Sequence, residues 1–87
     1  MQITFKNSFF RDVKKSPVSL HIELDKLLTL IETSASLKDI PNLKKLKGHH
    51  FAYRIRTGNY RLCFYFENDI ITIIRFLPRK DVYRFFP

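Results

Sequence analysis

The stretch FAYRIRTGNYRLCFYF, residues 51–66, decides the reading of this chain. Two alternating runs flank Gly58-Asn59, a pair whose chemistry suits a two-residue hairpin turn. That turn pairs Thr57 with Tyr60, Arg56 with Arg61, Ile55 with Leu62, Arg54 with Cys63 and Tyr53 with Phe64. Side chains alternate across a strand, so Phe51, Tyr53, Ile55, Leu62, Phe64 and Phe66 share one face. Arg54, Arg56, Arg61, Cys63 and Tyr65 share the other. Two arginines directly opposite each other repel. A sheet carries that cost more readily where an anion sits between them. Three guanidiniums beside a tyrosine suit a phosphate with a stacked base. A solvated sheet face is polar in any case, so the pattern alone leaves both readings open.

Toward the C-terminus, Asn68-Asp69 reads as a second turn and IITIIRFL (70–77) as a central strand covered on both sides. Toward the N-terminus, QITF (2–5) alternates as a short strand. NSFFRDVKK (7–15) is a helix candidate with Asn7 or Ser8 as its N-cap. Ser16-Pro17 offers a second N-cap with proline at the first helical position. A longer helix is expected over 18–33, where Leu20, Leu24, Leu27 and Ile31 form one apolar stripe. Pro41 disfavours helix at Ile40, and Gly48 closes the basic segment LKKLKG. The order β-α-α-β-β-β predicts a single α+β domain over residues 1–87. Its expected architecture is a four-stranded antiparallel sheet with two N-terminal helices packed on one face.

Composition narrows the function. Sixteen Lys and Arg against eight Asp and Glu give a formal charge of +8, which implies a polyanionic partner. Asp12, Glu23, Asp25, Glu32 and Asp39 precede residue 40, and no acid returns before Glu67. Lys44, Lys45, Lys47, Arg54, Arg56 and Arg61 fill the interval, so the basicity is regional. Cys63, the single cysteine, excludes an internal disulfide and a thiolate zinc site. No signal-peptide pattern opens the chain, and no apolar run is long enough to span a bilayer, so a cytoplasmic protein without a membrane partner is expected.

LKKLKG, YRIRTGNYRL, the apolar strand after them and the closing RKDVY together resemble the RelE/ParE superfamily of bacterial toxins from toxin–antitoxin pairs. The specific similarity spans residues 43–85, and the order of elements matches along nearly the whole chain. The resemblance implies a cognate antitoxin and no cofactor or metal. In its RelE branch it implies an endoribonuclease that enters the ribosomal A site and cuts mRNA there. Cleavage is attack of a ribose 2′-hydroxyl on the adjacent phosphate, which needs a base, cations for the transition state and an acid for the leaving oxygen.

Carried onto this chain, the resemblance assigns catalytic roles to Arg54, Arg56, Arg61, Arg79 and Tyr83. Arg61 would clamp the scissile phosphate. Lys44, Lys45, Lys47, Tyr65, Lys80 and Arg84 are the expected RNA contacts. Two departures matter. Strand lysines of nuclease relatives are replaced by Arg54 and Arg56, and a guanidinium is a poor general base. Pro78 stands where relatives often carry a histidine, and an upstream arginine acid of some relatives falls near Leu77. His49 and His50 are further candidates, though a solvated loop suits them as well. His21 is expected on the helix surface, and Cys63 as a half-buried thiol without a nucleophilic role. The ParE branch offers an alternative: poisoning DNA gyrase by protein contact. A degenerate toxin that only binds RNA is a third.

Overall fold

The computed structural model describes all 87 residues. It contains strands β1 (Gln2–Phe5), β2 (Leu43–Lys45), β3 (Ala52–Thr57), β4 (Tyr60–Glu67) and β5 (Ile70–Pro78), and helices α1 (Asn7–Lys15), α2 (His21–Thr33) and α3 (Val82–Phe85). The strands form one sheet in the order β1-β5-β4-β3-β2. The hairpin has the register that its turn chemistry predicts: Arg56 opposes Arg61, and Arg54 opposes Cys63. Gly58 is left-handed (φ +58°) and Asn59 is not, which is the pattern of a II′ turn. Asn68 (φ 53°) and Asp69 (φ 63°) are both left-handed, as a I′ turn requires.

The α+β class stands, but the four-stranded antiparallel layout is corrected. There are five strands, and β1 lies parallel to β5, with Ile3 opposite Ile71 and Phe5 opposite Ile73. Alternation in QITF shows that a strand exists but carries nothing about its direction. The added strand, β2, lies within the basic segment and sets Lys44 opposite Arg54. Three residues are too few for a period-two pattern to declare itself. A third helix, α3, follows a 3-10 turn at Arg79–Asp81.

Both faces of the sheet are covered, which is why β5 is so continuously apolar. Phe9, Leu24, Ile31, Ile55, Leu62 and Phe64 belong to the main core beneath α1 and α2. On the opposite face Cys63, Leu77 and Ala52 pack with Val82 and Phe86 of the tail. Cys63 is therefore fully buried rather than half-buried. Phe51, expected on the core face, is exposed.

The helix starts also differ from expectation. Lys6 occupies the N-cap of α1 with no side-chain cap. Ser8 is used elsewhere: its Oγ donates to the Ile74 carbonyl at 2.6 Å. Ser16 closes α1, its Oγ donating to the Val13 carbonyl at 2.7 Å, instead of opening the next helix. Residues Val18–Leu20 form a 3-10 turn ahead of α2. His21 is half-buried rather than surface, with Nε2 3.1 Å from Ser16 Oγ, and so ties the start of α2 to the end of α1.

Ser8 and Asp12 lie one turn apart on α1 and face β5 together. β5 has an irregularity where Cys63 opposes Arg75 and Phe64 opposes Ile73, leaving Ile74 unpaired. β1 has ended by then, so polar groups on that edge of β5 need other partners. Ser8 serves the Ile74 carbonyl. The Asp12 carboxylate accepts from the Phe76 amide at 3.0 Å and from Arg75 Nε at 2.7 Å and Nη2 at 3.0 Å. Side chains of α1 thus continue the edge bonding that β1 begins.

Candidate functional site

The hairpin turn and the start of the tail meet at one end of the sheet. There a cleft of about 310 Å³ is walled by Arg54, Arg56, Arg61 and Arg79, with Asn42 and Lys44 on its β2 side. No carboxylate lines it. Arg56 and Arg61 are direct cross-strand partners, as are Lys44 and Arg54. An adjoining hollow of about 540 Å³ shares Arg54 and Arg79 and adds Lys80 and Tyr83.

Carbonyl oxygens of the main chain and of Asn42 hold Arg61 and Arg56 in place. Arg61 Nη1 donates to the Gly58 carbonyl at 3.2 Å and to the Tyr60 carbonyl at 2.9 Å. The Arg79 amide donates to the Asn59 carbonyl at 2.9 Å, which fastens the tail to the same turn. Arg56 Nη2 donates to Asn42 Oδ1 at 3.2 Å, and Asn42 is itself left-handed (φ 61°). One turn therefore orients the Arg61 guanidinium and fixes the backbone of Arg79.

Partial burial and then the charges of Arg54, Arg79 and Arg56 push the Arg61 pKa down from its ordinary value. The guanidinium remains charged. Of these causes, the repulsion from three neighbouring guanidiniums disfavours one more cation and favours an anion. Such an array can hold a phosphate on several sides and neutralise negative charge that develops on it.

The other expected residues divide. Tyr83 is exposed, with the Arg54 guanidinium 5.4 Å from its ring centroid, at the edge of the cleft. Its neighbours Val82 and Phe86 anchor the tail, so tail anchoring and an exposed aromatic coexist in one short helix. Lys80 lines the adjoining hollow. Lys45 and Lys47 line a different hollow, together with His49 and His50, and do not reach the arginines. Tyr65 shares their face but lies four residues from Arg61, about 13 Å along the strand. It packs between Phe86 and Phe51, with ring centroids 5.3 Å from each. Arg84 lies over Phe85. Leu77 is buried in the tail-side core. No cluster of His, Cys, Asp and Glu could hold a metal ion. Sequence reasoning missed the company Lys44 keeps with Arg54, because β2 itself was not foreseen.

These features define a class: a small basic α+β domain that concentrates guanidiniums at one open end of its sheet. The comparisons identify the family. No protein-family model matches the chain. The curated toxin RelE3 of Methanocaldococcus jannaschii is 36% identical over 88 residues, covering 100% of both chains. A second protein of that organism, the putative toxin RelE1, is 31% identical over 72 residues, 82% of this chain and 80% of its own. Among solved structures, a RelB-RelE antitoxin-toxin complex from Methanococcus jannaschii matches with TM-score 0.83 and 34% identity, covering 97% of this chain and 99% of that one. The isolated RelE toxin of E. coli shares the fold, with TM-score 0.65 at 18% identity over 88% of this chain and 82% of its own.

The chain belongs to the RelE toxin family. It is a toxin of the toxin–antitoxin class, and no helix in it is long and apolar enough to cross a membrane.

Proposed function

We propose that this toxin is a metal-independent endoribonuclease that cuts mRNA in the ribosomal A site and so arrests translation in the cytoplasm. The observation that carries this reading is the cleft itself: four guanidiniums converge on it with no carboxylate to neutralise them. Like charges brought this close cost stability, and an RNA phosphate relieves the cost. Arg61, central to the array, clamps the scissile phosphate as charge develops on its oxygens. Arg54, Arg56 and Arg79 complete the electrostatic cradle, and Tyr83 offers a ring on which a base stacks.

A cognate antitoxin belongs to the same proposal, supported by the antitoxin-bound state of the 34% identical relative. It should be small and acidic or amphipathic, to complement the charge of +8.

Primer extension on a reporter mRNA after brief induction tests the reading. Codon-phased cuts that vanish with Arg61→Ala are expected. Growth arrest with intact mRNA would overturn it, and induction of the DNA-damage response would then favour gyrase as the target.

A further inference from the structure

Lys44 is the single amine in a cleft otherwise cationic through guanidiniums. It reaches that position because β2 pairs antiparallel with β3, placing Lys44 directly opposite Arg54. Leu43 pairs with Ile55 of the main core, so alternation puts Lys44 on the arginine face. The tail residues Arg79 and Tyr83 close the adjoining hollow beyond Arg54. Arg54 therefore lines both hollows, with Lys44 in one and Tyr83 in the other.

Transesterification in this cleft needs a proton for the departing oxygen, and the lining groups differ sharply as donors. A guanidinium gives up its proton less readily than any other side-chain cation. Arg61 and Arg56 also have donors engaged with main-chain and Asn42 oxygens. No carboxyl lines the cleft. His49 and His50 line a separate hollow. The Tyr83 ring packs against Arg54, which suits stacking. Lys80 lines the adjoining hollow and not the cleft, so Lys44 remains: a compact ammonium with three rotatable donors on a flexible stem.

Resting on the ribonuclease reading above, we propose that Lys44 is the general acid of the cleft. As the ribose 2′-oxygen bonds to phosphorus and the bond from phosphorus to the 5′-oxygen breaks, the Lys44 ammonium donates its proton to that 5′-oxygen. The proton of the 2′-hydroxyl passes to water, and the amine regains a proton from solvent. The products are a 2′,3′-cyclic phosphate and a 5′-hydroxyl. The polarity of the bound strand follows: the leaving 5′-oxygen faces β2, the strand that carries Lys44.

The test compares wild type, Lys44→Arg and Tyr83→Phe in single-turnover cleavage on programmed ribosomes. Each acts on an ordinary A-site codon and on one whose scissile 5′-oxygen is replaced by sulfur. A thiolate leaves without an acid, so only a defect in leaving-group protonation is rescued. Lys44 is exposed on an edge strand and arginine keeps its charge, so folding and RNA binding should persist. On the oxygen substrate Lys44→Arg should be slower by about 100-fold or more, the usual range for losing a general acid. Half-saturation should stay close to wild type. On the sulfur substrate the two rates should converge. Equal rates of Lys44→Arg and wild type on oxygen, or a defect that sulfur does not rescue, would overturn the assignment. Sulfur rescue of Tyr83→Phe in place of Lys44→Arg would move the role to the phenol. A wild-type protein that leaves both substrates intact would refute the ribonuclease reading as well; cleavage by wild type with a fully active Lys44→Arg refutes only the lysine.

Discussion

Replacing Asp12 with alanine should destabilise this fold more than most substitutions of a charged residue. The carboxylate is 8% exposed, and it accepts one hydrogen bond from the Phe76 amide and two from Arg75. Removing one partner of a buried ion pair costs about 3–5 kcal/mol. The Arg75 side chain is 25% exposed and can recruit water, which moves the expected cost to the lower end. The Phe76 amide has no such recourse, and an orphaned buried donor costs roughly 1–3 kcal/mol. The combined expectation is about 3 kcal/mol for Asp12→Ala. Asp12→Asn keeps one oxygen that can accept from the Phe76 amide but loses the charge and the acceptor for Arg75 Nη2, so about half that loss is expected.

Urea denaturation in an Arg61→Ala background, which should permit expression, measures both. With a slope of roughly 1 kcal/mol/M for a small domain, the Asp12→Ala midpoint should fall by about 3 M and the Asp12→Asn midpoint by about half as much. Arg75→Met should also destabilise, because it leaves the buried carboxylate unpaired. The double variant Asp12→Ala/Arg75→Met should cost less than the sum of the two, by about 1 kcal/mol or more. Equal losses for alanine and asparagine would refute the role given to the Phe76 amide. Additive losses in the double variant would refute the ion pair as a unit.

Three further outcomes are expected. Burial pushes the Cys63 thiol up from 9.0 to about 12, so the unfolded chain loses this proton first as pH rises. The stability this group provides is complete below about pH 9 and is lost between about 9 and 12, at ~1.4 kcal/mol per pH unit. Urea midpoints at pH 8.5 and 10.5 should therefore differ more for wild type than for Cys63→Ala, and equal differences would count against the buried thiol. Inorganic phosphate should raise the melting temperature of wild type, by about 2.7 kcal/mol of stability at 100 times its Kd, and leave Arg61→Ala nearly unmoved. Gly58→Ala places a side chain on a residue at φ +58° with its Cβ 3.3 Å from Leu20 Cδ2, which should cost about 1–2 kcal/mol. Because the Gly58 carbonyl also holds Arg61, mRNA cleavage should fall beyond what the loss of folded protein explains.

Much of the site was legible because hairpin geometry is local. A two-residue turn of Gly-Asn type fixes register, and register fixed the opposition of Arg56 and Arg61. The long apolar run of β5 announced a strand covered twice, and the tail proved to be the second cover. What stayed hidden depended on distant partners. The parallel docking of β1 leaves no trace in four residues. Ser8 and Ser16 look like helix starters in sequence, yet one serves an unpaired carbonyl of β5 and the other closes α1. Tyr65 fell on the arginine face but not in the cleft, because alternation specifies a face and says nothing of distance along it.

The same division explains how a chain of 87 residues can hold four like charges together. The repelling groups lie at one open end of the sheet, close to solvent. The bonds that fix their backbone lie behind them: the II′ turn, the link from the Arg79 amide to Asn59, and the tail residues Val82 and Phe86 buried against Cys63. Asp12 and Arg75 secure the edge of β5, the strand paired with β4 behind the cleft. Repulsion can then be expressed only through side chains, which spread toward water or close around an anion. A backbone this well pinned cannot relax to relieve the cleft, and on the ribonuclease reading proposed above an RNA phosphate provides the relief.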